Sequence, residues 1–118
     1  MQVQHRLYIA RLALIAVLMV VLWNALFTSW QPLDFMGDKL RHIMAFLGLS
    51  FFAAISFPAS TTGTRLGVMA VIALGIEVAQ LWAPGREFHL DDFVASFLGS
   101  CLFELIRRTV TQFLPDKT

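Results

Sequence analysis

Eight side chains in this sequence have the types and spacing to build a polar site: Asp38, Lys39, His42, Glu77, Gln80, Arg86, Asp92 and Ser96. Asp38 and His42 are four residues apart, so on a helix they share a face, with Lys39 and Arg41 beside them. Glu77 and Gln80 are three apart and prolong a helical side that starts at Ala70 and Ala73. Asp92, Ser96, Gly99 and Ser100 make a further stripe, whose small residues let helices approach closely. Lys39, Arg41 and Arg86 are cations suited to phosphate or carboxylate. Glu77, Asp92 and His42 are the groups that can give or take a proton. His42 is the one well-placed nitrogen ligand beside Asp38, Glu77 and Asp92, and no His-x-x-x-His or paired-cysteine spacing supports zinc, so no metal and no other cofactor is expected, with magnesium held by carboxylates and water the metal alternative left open. A serine-nucleophile motif and a Gly-rich phosphate loop are also missing.

These residues sit in a chain that is otherwise apolar. Of 118 residues, 58% are hydrophobic and 14% charged, against roughly 45 to 50% and 25% in soluble domains. A soluble fold would lack polar residues for its surface, so the composition predicts an all-α integral membrane protein. Four spans of about 20 residues with short loops use nearly the whole length as a single unit over residues 1–118. A net charge of +1 without a basic stripe argues against nucleic acid as a partner. The single cysteine, Cys101, lies in an apolar run and reads as an inert thiol.

The expected spans are residues 8–28, 39–57, 65–83 and 91–107. The first has arginines at its start and Trp30 after it, and with no small-x-small cleavage site it reads as a retained anchor. Pro58 and ASTTGT separate the second span from the third, and Pro84 and Gly85 close the third. Asp91 and Asp92 are assigned to the first turn of the fourth, where a helix N-terminus favours negative charge. Arg6, Arg11, Arg65, Arg107, Arg108 and Lys117 fall on one side of such a bundle; Lys39, Arg41 and Arg86 fall on the other. The side richer in Lys and Arg is cytoplasmic. Both termini are therefore expected inside, and the polar starts and ends of spans two, three and four outside, in the outer leaflet.

Simpler roles exist for several of these groups. Asp38 suits a helix N-cap, Lys39 and Arg41 suit snorkelling at the interface, and Glu104 has Arg107 and Arg108 nearby for a local pair. Glu77 is hardest to explain this way. About 10 Å inward from Pro84, it needs a partner or a proton, since an intramembrane charge costs on the order of 2.5 to 3.5 kcal/mol.

The segments DKLRHIMAF and IEVAQLWAPGREFHLDDFVASFLGS resemble the VanZ-like family of small bacterial membrane proteins, named for a teicoplanin-resistance protein. The resemblance covers about residues 38 to 100 and fits Asp38, Lys39, His42, Glu77, Gln80, Arg86, Asp92 and Gly99. It departs from the family pattern at Ser96, where an Asn is usual, so an amide's two donors are replaced by one hydroxyl. Membership implies the bacterial cytoplasmic membrane, a cell-envelope role and a link to glycopeptide resistance, without an established reaction.

Three functions follow from these readings. The first is binding of an anionic envelope ligand, a lipid phosphate, a peptidoglycan precursor or a glycopeptide, in an outer-leaflet pocket lined by the eight residues. The second is a membrane-embedded enzyme acting on an envelope lipid or precursor, with Glu77, His42 and Asp92 as acid and base. The third is a proton or ion relay. Because the inner halves of all four spans read as apolar, that path requires a homo-oligomer.

Overall fold

The computed structural model describes residues 2–27, 38–82 and 90–113, and in these it is all helical. Helix α1 runs Gln2–Phe27, α2 Asp38–Ser56, α3 Thr62–Gln80 and α4 Leu90–Phe113. Three of them, over Gln2–Asn24, Lys39–Ser56 and Thr62–Gln80, are long and apolar enough to cross a membrane. At 24 residues, or ~36 Å, α4 is also long enough. It differs in composition, because Asp91, Asp92, Glu104, Arg107 and Arg108 interrupt its apolar sequence.

The boundaries differ from the expected spans in ways the capping explains. Helix α3 starts at Thr62 rather than 65, because the Thr61 hydroxyl accepts from the Thr64 amide at 3.1 Å and caps it there. It ends at Gln80 rather than 83: Leu81 and Trp82 donate to Val78 and Ala79, tightening the exit. Arg65 thereby moves from a connection into the first turn of a helix, and Glu77 into the last. Helix α4 continues to Phe113, past the expected end of the span at 107.

The packing has two unlike sides. Between α1, α2 and α3 the core is apolar: Phe46, Leu49 and Ala53 of α2 meet Met69, Ala73 and Ile76 of α3, covered by Leu14, Val17, Leu18, Val21 and Leu22 of α1. Helix α4 packs on α2 and α3 and makes no contact with α1 among the described residues. Its buried side is polar, with Asp92, Ser96, Ser100 and Glu104 at four-residue spacing. Helix α4 comes closest to α2 at Gly99, where an added Cβ would lie 2.2 Å from the Ile43 carbonyl oxygen. Only glycine permits that approach. Next to it the Ser50 hydroxyl donates to Ser100 Oγ at 2.8 Å, both buried. This close approach and the interhelical hydrogen bond beside it hold α4 on α2.

Candidate functional site

Four of the residues singled out by sequence meet at the start of α2 and α4. Lys39 Nζ lies 2.5 Å from Asp92 Oδ1 and 3.0 Å from Asp91 Oδ2. The other oxygen of Asp92 is 3.7 Å from His42 Nε2. The remaining nitrogen of that ring, Nδ1, is 3.3 Å from Ser96 Oγ. Helix spacing makes this possible: Lys39 and His42 are successive on one side of α2, and Asp92 and Ser96 are one turn apart on α4. Asp91 and Asp92 lie in the first turn of α4, as expected, where the helix dipole adds to the attraction of Lys39 for their charge.

Exposure grades through the cluster. The side chains of Lys39 and Asp91 are 47% and 64% exposed, that of His42 23%, and that of Asp92 9%. Ser96 is buried. The arrangement has a wet rim of opposite charges and a dry floor of imidazole and hydroxyl. A serine, a histidine and an aspartate in series are the components of acyl-transfer chemistry. Here the serine is the most deeply buried of the three, so its hydroxyl orients the imidazole rather than meeting a substrate.

Glu77 and Gln80 arrive from α3, both buried, with Glu77 only 1% exposed. Their level follows from the opposite end of the bundle. Arg65 of α3 pairs with Glu104 of α4, and the two helices run antiparallel. Twelve residues back along α4 is Asp92, and twelve forward along α3 is Glu77, about 18 Å in each case. Glu77 therefore stands level with Asp92. Both Glu77 and Gln80 take part in polar interactions, as does Arg41, which is half-buried beside His42. Arg86 lies outside the described residues. Asp38 is the first residue of α2, and its side chain likewise lies outside them. Among the described residues no group of three or more His, Cys, Asp or Glu is placed to hold a metal ion.

The end of the bundle opposite Lys39 corrects two expectations. Glu104 is not satisfied by a local surface pair: it is buried and takes a two-pronged contact from Arg65, Nε to Oε2 at 2.8 Å and Nη2 to Oε1 at 2.9 Å, while Arg107 adds only its more distant charge. Thr62 donates to the same Oε1 at 3.2 Å. Arg65 Nη1 donates to the backbone oxygen and hydroxyl of Ser60, and Nη2 also to Thr62 Oγ1. Nor is this half of the helices uniformly apolar, since the Arg65–Glu104 pair is buried between α3 and α4. Sequence reasoning missed it because Arg65 stands next to a turn-rich stretch and was read as a flank. The signal available was the four-residue ladder Asp92, Ser96, Ser100, Glu104, whose last member falls on the buried side. Arg11 of α1 completes this end, donating to the Ser56 carbonyl at 3.1 Å and lying over the Phe57 ring.

No curated protein and no solved structure matches the chain significantly. The family model for VanZ/LLP1 matches residues 3–110, which takes in all four helices almost to the end of α4. The chain belongs to the VanZ/LLP1 family.

Proposed function

We propose that this protein crosses the bacterial cytoplasmic membrane four times, with both termini inside, and binds an anionic envelope ligand at the outer ends of α2, α3 and α4. The fourth crossing is supported by the outward side of α4, where Val94, Leu98, Leu102, Ile106 and Val110 recur every four residues and are all exposed, while the polar side is buried. Orientation is supported by charge: Arg6, Arg11, Arg65, Arg107 and Arg108 gather at the end where Arg11 meets Ser56 and Arg65 meets Glu104.

The observation that carries the binding reading is the half-exposed Lys39 ammonium held between an exposed Asp91 and a buried Asp92. An incoming phosphate or carboxylate takes the place of Asp91, whose side chain returns to water, while Asp92 stays to position the lysine. Surface ion pairs are worth only about 0 to 1 kcal/mol, so this exchange is inexpensive. Arg41 from the first turn of α2 and Arg86 from the α3–α4 connection add positive charge; Asp38, His42, Glu77 and Gln80 supply the acceptors and donors that orient the ligand, and Ser96 fixes the His42 ring. A polyprenyl phosphate in detergent or lipid discs is a direct probe. Lys39→Gln should weaken its binding by tenfold or more, about 1.4 kcal/mol or above, and Asp91→Asn should tighten it. Undiminished binding by Lys39→Gln, or weaker binding by Asp91→Asn, would sink the exchange mechanism.

A second reading is favoured by the Asp92–His42–Ser96 series. Ser96, 3.3 Å from Nδ1, orients the ring, and Nε2, 3.7 Å from Asp92 and so beyond hydrogen-bond length of it, can exchange a proton with a substrate at the rim, with Glu77 level with Asp92. Conversion of the bound lipid during incubation would favour this enzyme; stoichiometric recovery favours the binding module.

A further inference from the structure

The last turns of α4 project past the adjoining ends of α2 and α3. Ser56 ends α2 and Thr62 begins α3, and Glu104, held by Arg65 and Thr62, marks that level on α4. Beyond it, residues 105–113 are all exposed, a length of about 13 Å. Their exposure has a pattern. At 100° per residue, Leu105, Ile106, Val110 and Phe113 share one side with Thr109, and Arg107, Arg108, Thr111 and Gln112 share the other. The apolar side prolongs a ladder that begins in the body of the bundle: Val94, Leu98, Leu102, Ile106 and Val110, each about half exposed. The polar side prolongs the buried ladder Asp92, Ser96, Ser100 and Glu104 into Arg108 and Gln112.

We propose that residues 105–113 form a contact for anionic phospholipid, with Leu105, Ile106, Val110 and Phe113 in the acyl and glycerol layer and Arg107 and Arg108 on the headgroup phosphates. The proposal rests on α4 crossing the bilayer but not on which leaflet receives this end, nor on any ligand at Lys39. Two observations select lipid as the occupant. The apolar side is continuous with the rungs that face hydrocarbon if α4 spans, so one surface meets one solvent along its whole length. The distance fits as well: from Asp92 to Phe113 is 21 residues, or ~32 Å, against a hydrocarbon core of about 30 Å. With Asp92 at one boundary, Arg107 and Arg108 come within a side chain's reach of the other, where long cationic side chains extend toward phosphate. Arg65, not Arg107 or Arg108, makes the two-pronged contact with Glu104, so both of these guanidinium groups can reach a phosphate.

The test uses the full chain with Cys101→Ser and Thr109→Cys, the new cysteine carrying a polarity-sensitive fluorophore between Leu105 and Phe113 on the apolar side. The protein is reconstituted in phosphatidylcholine vesicles with or without phosphatidylglycerol, and access of iodide to the fluorophore is measured. Phosphatidylglycerol should blue-shift the emission and protect the probe. Arg107→Gln with Arg108→Gln should remove that increment, by about fivefold per arginine in the ratio of docked to undocked segment, while the paired Lys variants retain most of it. Protection independent of phosphatidylglycerol would overturn the proposal. So would a disulfide between unlabelled Thr109→Cys copies that persists on dilution into excess lipid, which would identify a second copy of the chain as the occupant.

Discussion

The two ends of this helical bundle solve the problem of charge in an apolar protein in opposite ways. At the Arg65 end every N–H of the guanidinium has an acceptor among Glu104, Ser60 and Thr62, and the Arg65–Glu104 pair is buried. At the Lys39 end the ammonium is shared between two carboxylates, remains half exposed, and has a flexible stem that can exchange partners. Arginine's planar fork suits a fixed two-pronged pair, and lysine's compact ammonium suits a replaceable one. A closed cluster has no valence left for a ligand, so it orders helices. An open one, with a buried carboxylate fixing the lysine and an exposed one beside it, suits the exchange proposed above. The Ser56 hydroxyl, buried with no hydrogen-bond partner among the described residues, is the one loose group near the closed end.

The contrast can be broken most severely at Arg65. Arg65→Ala leaves Glu104 buried without its cation, a change that costs about 3 to 5 kcal/mol in soluble proteins, so folded protein in the membrane should fall sharply. Replacing both Arg65 and Glu104 by Leu should recover much of that loss, as judged by thermal unfolding in detergent. If Arg65→Ala unfolds at the wild-type temperature, the Arg65–Glu104 cluster is not the fastening described here.

Next in size is the contact that joins the two ends. Gly99→Ala places a methyl group against the Ile43 carbonyl, backbone that cannot rotate away, and overpacking of this kind costs about 1 to 3 kcal/mol. The two helices must separate, and the Lys39–Asp92 contact should loosen with them. A variant as stable as the parent, with polyprenyl phosphate binding intact, would show that α2 and α4 do not meet at Gly99.

A milder probe is the hydrogen bond beside it. Ser50→Ala should cost about 0.6 kcal/mol, the average for interhelical hydrogen bonds in a membrane. The same pair sharpens the geometry: with Cys101→Ser, Ser50→Cys and Ser100→Cys should form a disulfide under oxidant, since this needs Cα atoms within about 7 Å. No cross-link at this pair would contradict the parallel seam of α2 on α4.

The smallest expected effect on stability is at Glu77. Glu77→Gln keeps the shape and a hydrogen-bonding amide, so abundance and unfolding temperature should stay near those of the wild type. Envelope function should nonetheless disappear, because the open end depends on the charge. Full function in Glu77→Gln at normal abundance would move Glu77 from the ligand site to a structural hydrogen bond.

Much of this was legible in the sequence. Four apolar runs separated by Pro, Gly and Thr-rich turns specify helices, because a backbone without water must satisfy its polar groups internally. The four-residue spacing of Asp92, Ser96 and Ser100 placed them on one side of a helix, and the Asp-Lys-x-x-His pattern pointed to the residues that meet Asp92. Asp91 was not distinguished from its neighbour, since a first-turn carboxylate reads the same whether it touches a lysine or water. Which helix receives which polar side was beyond periodicity: it depends on the packing of α4 against α2 and α3, set by Gly99 at one point and by Arg65 at another. The capping by Thr61 that drew Arg65 inside α3 is a matter of one hydroxyl's orientation. Local sequence determined that these helices form and which sides are polar. The tertiary structure decided that one set of charges is sealed and the other left open, because burial and pairing are properties of neighbours that the chain brings together only when it folds.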